Sequence, residues 1–257
     1  MDKGTALEQL YNQWSNCQRC ALKEHRKHVV FGCGNPESQV MIVGEAPGEN
    51  EDRIGIPFIG DAGNLLDQYL SDISVRLEVK AKCELVKSSR GKEEARVHQW
   101  DLHNLLMDEF FFTNVVACHP PENRDPTQTE VKACLPRLQE AIYLVDPLVL
   151  VAVGRIALEA LLGRKMSITH VRGQMFDIQL PGRLAPVKYA MIATLHTSYL
   201  MRRGNFNDEN LERSEAWQTY QDWIRVLHLV DQYNEAHFGT PRPFNRPKLG
   251  EKEKKKR

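Results

Sequence analysis

A carboxylate, a carboxamide and an imidazole each stand at the end of an uninterrupted apolar run. Glu45 lies just beyond Val40-Met41-Ile42-Val43, Asn114 falls at the end of the strand read in Phe110 to Val116, and His196 follows the run from Tyr189 to Leu195. Short runs of this kind read as strands buried on both faces of a parallel sheet. Open parallel sheets bind ligands beyond the carboxyl ends of their strands, so three different polar groups are aimed at one edge. A carboxylate there can stabilise a cation or orient a water, and an imidazole can hydrogen-bond a developing anion. An amide offers a donor and an acceptor side by side, as the edge of a pyrimidine does. Taken alone, Asn114 reads better as an asparagine bonded to its own turn; the three together carry the inference.

Behind the first run comes Gly44-Glu45-Ala46-Pro47-Gly48-Glu49-Asn50-Glu51-Asp52, then Gly55-Ile56-Pro57-Phe58-Ile59-Gly60. Glycine lets a flat ligand approach the backbone closely. Gly44, Ala46, Pro47 and Gly48 are therefore candidate contacts, with Phe58 as a stacking face. Behind the last run, His196-Thr197-Ser198-Tyr199-Leu200-Met201-Arg202-Arg203 sets two apolar residues beside two arginines. Ser198, Tyr199, Leu200, Met201 and Arg202 suit a wedge pushed into a base stack while arginine holds phosphate. The competing reading is a helix N-terminus whose apolar residues enter the core. Arg172-Gly173 is a weaker candidate for a backbone contact.

Six cysteines in a chain without a secretory leader or an apolar run long enough to span a bilayer point to a reducing compartment such as the cytoplasm, with metal ligation or free thiols rather than disulfides. Cys17-x-x-Cys20 presents two thiols within one turn, and Cys118 and Cys134 bracket the loop behind the second strand. Each pair alone reads equally well as a metal half-site or as buried thiols. Together they make a four-thiolate site the better reading. Zinc and an iron–sulfur cluster both accept four cysteines, and spacing does not separate them. Cys33 and Cys83 are left as ordinary thiols.

The elements that must position these groups can be read from the same pattern. Apolar runs at Val40–Val43, Phe110–Val116, Leu148–Val153 and Tyr189–Leu195 alternate with helical repeats at 61–77, 127–145 and 155–162. This implies an α/β fold, a three-layer αβα sandwich on a short parallel sheet of about four strands. Thr127-x-x-Glu130 is a capping box, Pro136 should kink or split the helix it lies in, and Gly163 is a C-cap. Residues 209–236 read as a long helix packed on the sheet. The 257 residues suffice for one domain over 1–238, with a charged, exposed insert at about 75–107 and a disordered Pro/Lys-rich tail at 239–257. Formal net charge is zero, so any nucleic-acid binding must come from local patches. A monomer is expected.

At these motifs the chain resembles the family-four uracil-DNA glycosylases, the iron–sulfur branch of that superfamily. The likeness is carried by Gly44–Gly48 with Glu51-Asp52, by Pro57-Phe58-Ile59-Gly60-x-Ala62-Gly63, by Asn114 through Pro126, and by His196-x-Ser198-Tyr199-Leu200. The four cysteines fall in the family's order. The resemblance implies a uracil-DNA glycosylase-like fold, a [4Fe-4S] cluster on Cys17, Cys20, Cys118 and Cys134 that ties loops together (zinc being the less favoured occupant), and uracil-containing DNA as substrate. It assigns Glu45 to the cationic sugar or the attacking water, Phe58 to stacking, Asn114 to the uracil edge, His196 to the leaving base, and Ser198 to Arg202 to the minor groove. It implies hydrolysis of the N-glycosidic bond after base flipping, the first step of base excision repair.

The chain departs from the family's pattern in places. Thr197 replaces the usual proline after the histidine, which predicts a looser loop, and Asp61 stands where a basic residue is common. No histidine-bearing insertion of the covalent uracil-trapping relatives is present near residues 115–135, so no covalent adduct is expected. The alternatives are a non-catalytic DNA-binding or replication-associated module on the same fold, which Thr197 and the insert would favour, and a zinc-stabilised hydrolase.

Overall fold

The computed structural model describes residues 2–73, 102–203 and 214–238. Its centre is a six-stranded sheet in the order β1-β3-β2-β4-β6-β5. The strands are β1 (Cys33–Gly34), β2 (Val40–Gly44), β3 (Phe111–Asn114), β4 (Val149–Val153), β5 (Met175–Leu180) and β6 (Val187–Thr194). The four inner strands are parallel, as the apolar runs predict, and β1 and β5 close the edges antiparallel. Every residue of β2, β3 and β4 is buried. Met41, Val43, Leu150, Ala152, Met191 and Ala193 face one layer of helices, α1 (Lys3–Trp14), α4 (Gln128–Val145) and α5 (Arg155–Leu162). Ile42, Phe112, Val151, Val153 and Ile192 face the other, α3 (Asp61–Ile73) and α7 (Glu215–Phe238). A period of two splits each strand between the two cores.

The helices mostly end where their sequence signals place them. Both halves of the capping box at Thr127 and Glu130 are made, and α5 stops at Gly163 in the left-handed region (φ 68°). Pro136, expected to split its helix, does not: α4 runs unbroken through it. Pro136 and Lys132, whose carbonyl loses its partner, both reach the surface, so water can satisfy that carbonyl. The opposite face buries Cys134, Arg137, Leu138, Ala141, Ile142 and Val145, which holds the helix together. The insert read at 75–107 and the tail at 239–257 lie mostly or wholly outside the described residues. The insert's last residues, 102–107, are helical and place Leu102 and Leu106 in the core. Among the described residues no helix is long and apolar enough to cross a membrane.

Candidate active site

The carboxyl ends of β2, β3, β4 and β6 share one edge, and beyond it lies a cavity of about 440 Å³. Glu45, Ala46, Pro47, Gly48, Phe58, Asn114, His196, Ser198 and Arg202 all line it. The acid, the carboxamide and the imidazole inferred from strand ends therefore meet in one place. Gly44 lies beneath them, paired in register with Asn114. A Cβ there would strike the Asn114 side-chain oxygen and come within 2.6 Å of the Phe58 ring. We expect Gly44→Ala to displace both groups and lower activity by about 100-fold, as misplacements near 1 Å do. A near-wild-type circular dichroism spectrum would exclude misfolding as the cause.

Phe58 is held in the left-handed region (φ 58°), uncommon for a side chain of its size. Its ring is buried and packs 5.9 Å from that of Phe112. A carboxylate of α2 (Glu49–Ile54) fastens the turn: Glu51 accepts the Gly60 N–H at 2.8 Å, while Asp52 ties the same helix to the segment before β1, accepting the N–H groups of Lys27 and His28 at 2.9 and 3.2 Å. Within the acidic run behind β2, Glu51 thus supports the loop that carries Phe58.

Glu45 is partly buried, and its carboxyl is pushed up to about 7. Burial is the main cause. The Asp125 carboxylate, which also hydrogen-bonds it, adds to the rise, while Arg155 and Arg202 oppose it. His196 is pushed the other way, down to about 4, by burial and then by Arg202. Its Nδ1 lies 3.2 Å from the Ser198 backbone N and 2.8 Å from the Ser198 hydroxyl. A backbone N–H can only donate, so Nδ1 accepts and the neutral ring carries its proton on Nε2. His196 is thus a neutral hydrogen-bond donor throughout the physiological range.

Two sequence expectations about the helix behind His196, α6 (Thr197–Arg203), are corrected. Leu200 is not an exposed wedge but 2% exposed, because Thr197 and Leu200, three apart, share the inward face of α6 where it packs on α3. Met201, at 42% exposure, is the apolar residue left free. Nor is the His196 loop loose. Thr197 is buried and donates its hydroxyl to the Ala62 carbonyl at 2.6 Å, so a tether replaces the stiffness of proline. Tyr199 turns to α7, donating to Glu215 at 2.9 Å. Arg172 is also unavailable for a backbone contact, since its guanidinium is committed to Asp222 and Gln218.

Residues 120–126 supply contacts that local sequence pattern does not single out. Arg124 grips both oxygens of Glu130 at 2.7 and 2.9 Å, which holds the Glu130 carboxyl down at about 2. Glu122 and Asn123 take positive φ, and the loop brings Asn123, Arg124 and Asp125 to the cavity. The capping box is legible in the sequence, but nothing in it shows that its glutamate also anchors Arg124.

The four predicted cysteines converge on a separate small cavity, behind the strand ends, also lined by Trp14, Arg26 and Arg137. Arg26 points to Cys118 Sγ (3.6 Å), while Arg137 Nε and the Ala117 N–H point to Cys134 Sγ (3.4 Å each). Burial pushes the Cys118 thiol up to about 11 and also raises that of Cys20. Donors aimed at sulfur fit thiolates that are ligands, since such hydrogen bonds surround metal-bound sulfur. Among the described residues no three His, Cys, Asp or Glu side chains are gathered tightly enough for a single ion.

The architecture and pocket define a class. The family model described as "Uracil DNA glycosylase superfamily" matches residues 31–221. The type-4 uracil-DNA glycosylase of Pyrobaculum aerophilum is 36% identical over 211 residues, 79% of this chain and 90% of that protein. The type-4 enzyme of Thermotoga maritima is 35% identical over 197 residues, 76% of this chain and 83% of its own. A type-5 uracil-DNA glycosylase of Thermus thermophilus is 33% identical over 135 residues, about half of each chain. The chain belongs to the uracil-DNA glycosylase superfamily and, within it, to the type-4 branch.

Proposed function

We propose that this protein hydrolyses the N-glycosidic bond of uracil in DNA and so initiates base excision repair in a reducing, DNA-containing compartment such as the cytoplasm. The observation that carries this reading is the meeting of Glu45, Phe58, Asn114 and His196 in one cavity. Uracil must first leave the stack, at a cost of a few kcal/mol. Met201 entering the duplex, Arg202 on phosphate and Phe58 stacked on the extruded ring would offset that cost. Asn114 pairs its amide with the uracil edge. As the bond from C1′ to the base nitrogen breaks, its electron pair goes to uracil, leaving positive charge on the sugar. The Glu45 carboxylate stabilises that cation and accepts the proton of the water that adds to C1′. The Nε2–H of His196 donates to the uracil anion, so each developing charge faces a fixed group of opposite tendency.

Cys17, Cys20, Cys118 and Cys134 would hold a [4Fe-4S] cluster, which joins the segment after α1 to the loop behind β3 and to α4. The four thiols on one cavity and the donors aimed at two of their sulfurs support a metal centre, and the likeness to the iron–sulfur branch favours a cluster over a single zinc ion. A non-catalytic DNA-binding module loses one of its motives with the Thr197 tether. It would bind DNA in a salt-dependent way without releasing base.

The test is base release from a uracil-containing oligonucleotide, read as strand cleavage after alkali, against Glu45→Ala and His196→Ala. Wild-type cleavage no greater than theirs rejects the proposal. The pH profile is a second check. Glu45 must be ionised, so kcat/KM should rise with pH, reach half its limit near 7 and level off above it, while His196 adds no limb above about 4.

A further inference from the structure

Arg137 is the least expected charge in the molecule. It is wholly buried, on the inward face of α4. Each of its three nitrogens has a partner. Nε donates to Cys134 Sγ at 3.4 Å, Nη1 to the Phe31 carbonyl at 2.7 Å and the Thr113 hydroxyl at 3.1 Å, and Nη2 to the carbonyls of Asn114 and of Val115, the latter at 3.3 Å. The guanidinium also lies 5.4 Å from the centre of the Phe31 ring. Among the described residues no carboxylate pairs with it.

A buried cation with only neutral partners is costly, and arginine cannot escape by losing its proton. The counter-charge must come from an anion within reach. Cys134 is the partner that can become one, as a thiolate ligand. A cluster bound by four thiolates carries net negative charge, so the proposed cofactor would supply what the protein lacks here. Arg26 likewise approaches Cys118 Sγ, at 3.6 Å.

We propose that Arg137 is a positioning residue that couples the cluster to uracil recognition: charge on the Cys134 sulfur holds the guanidinium in place, and the guanidinium holds the strand end that carries Asn114. Two of its bonds grip the carbonyls of Asn114 and Val115, and a third grips Thr113, one residue earlier. Asn114 is therefore held from behind through a group that depends on the cluster's charge. This rests on the cluster reading given above and extends it, since the cluster then shapes the pocket without taking part in the reaction.

The test uses the full-length protein prepared without oxygen, as wild type, Arg137→Gln and Arg137→Lys. Iron and sulfide content, the rate of iron loss to a chelator, the reduction potential of the bound cluster, and kcat and KM on a uracil-containing oligonucleotide are measured. Arg137→Gln should lose iron at least about tenfold faster, and any cluster it retains should have a more negative potential, because a neighbouring positive charge favours the added electron. Arg137→Lys keeps the charge but not the planar fork. It should hold iron and potential near wild type and raise KM by about fivefold or more, with a smaller change in kcat. Wild-type iron retention and potential in Arg137→Gln, or wild-type KM in Arg137→Lys, overturns the proposal and leaves the cluster reading standing. A wild-type protein without iron or sulfide, even after anaerobic reconstitution, overturns both. If Arg137→Gln does not fold, the KM of Arg137→Lys decides.

Discussion

Glu45→Gln lowers uracil release by roughly 10³-fold, equivalent to about 4 kcal/mol of lost transition-state stabilisation. The amide keeps the shape of the carboxyl but neither its charge nor its ability to take a proton from water. Affinity for uracil-containing DNA, measured by fluorescence anisotropy, should hold or tighten, because a negative group near a polyanion has been removed. Stability separates this outcome from simple damage. The folded Glu45 carboxyl titrates near 7, above its ordinary value of 4.5. Such a group weighs increasingly against the native state as pH rises from about 4.5 to 7, where the unfolded chain is already ionised and the folded one is not. Glu45→Gln is free of that penalty. It should therefore melt higher than wild type at pH 8, with the gap closing toward pH 4.5. A variant that is inactive because it is misfolded would melt lower. A drop of less than tenfold in base release would remove Glu45 from the centre of the mechanism.

The convergence of Glu45, Asn114 and His196 on one cavity was legible because both faces of the inner strands are buried. Their sequences are continuous apolar runs, and the residue at the carboxyl end of such a run lies at the ligand edge. The edge strands gave no such signal. β1 is two residues, and only Ile178 and Leu180 of β5 are buried. The side-chain errors share one physical cause. Whether a short helix turns Leu200 inward or outward depends on its cover, and α3 is more than a hundred residues away in sequence. Arg172 reads as a candidate backbone contact, and the sequence singles out nothing at Arg137, because the partners of both guanidinium groups lie mostly far off in the chain. One is occupied by Asp222, fifty residues on, and the other by carbonyls at the end of β3 and the sulfur of Cys134. Thr197 misled in the same way, since local stiffness was lost but a bond to Ala62 restored it. Local pattern thus found groups that line one cavity, and long-range pairing, which local pattern does not encode, decided how firmly each is held.

The clamp at Asp222 shows how much such pairing matters. Its carboxylate has no exposed surface. It accepts from Arg172 Nε at 3.0 Å and from the Thr194 hydroxyl at 3.0 Å, so it ties α7 both to Arg172 and to the last residue of β6, two before His196. Burial nevertheless pushes its carboxyl up to about 6, against the pull of Arg172, so the ionised pair is a poor net stabiliser. The consequence of breaking it is different. Asp222→Ala leaves the Arg172 guanidinium, itself largely buried and among the described residues otherwise bonded only to Gln218, without its counter-charge, and the Thr194 hydroxyl without its acceptor. Removing one partner of a buried pair costs about 3–5 kcal/mol. At about 2–4 °C per kcal/mol for a domain of this size, the melting temperature should fall by roughly 10 °C. Base release should fall even at temperatures where the variant is folded, because β6 then ends unclamped just before His196. Replacing both partners, as Asp222→Leu with Arg172→Leu, should restore most of the lost stability, since no charge is left stranded. Full recovery of stability without recovery of activity would show that the clamp positions His196; a double variant as unstable as Asp222→Ala would show that the ion pair itself holds α7 to the sheet.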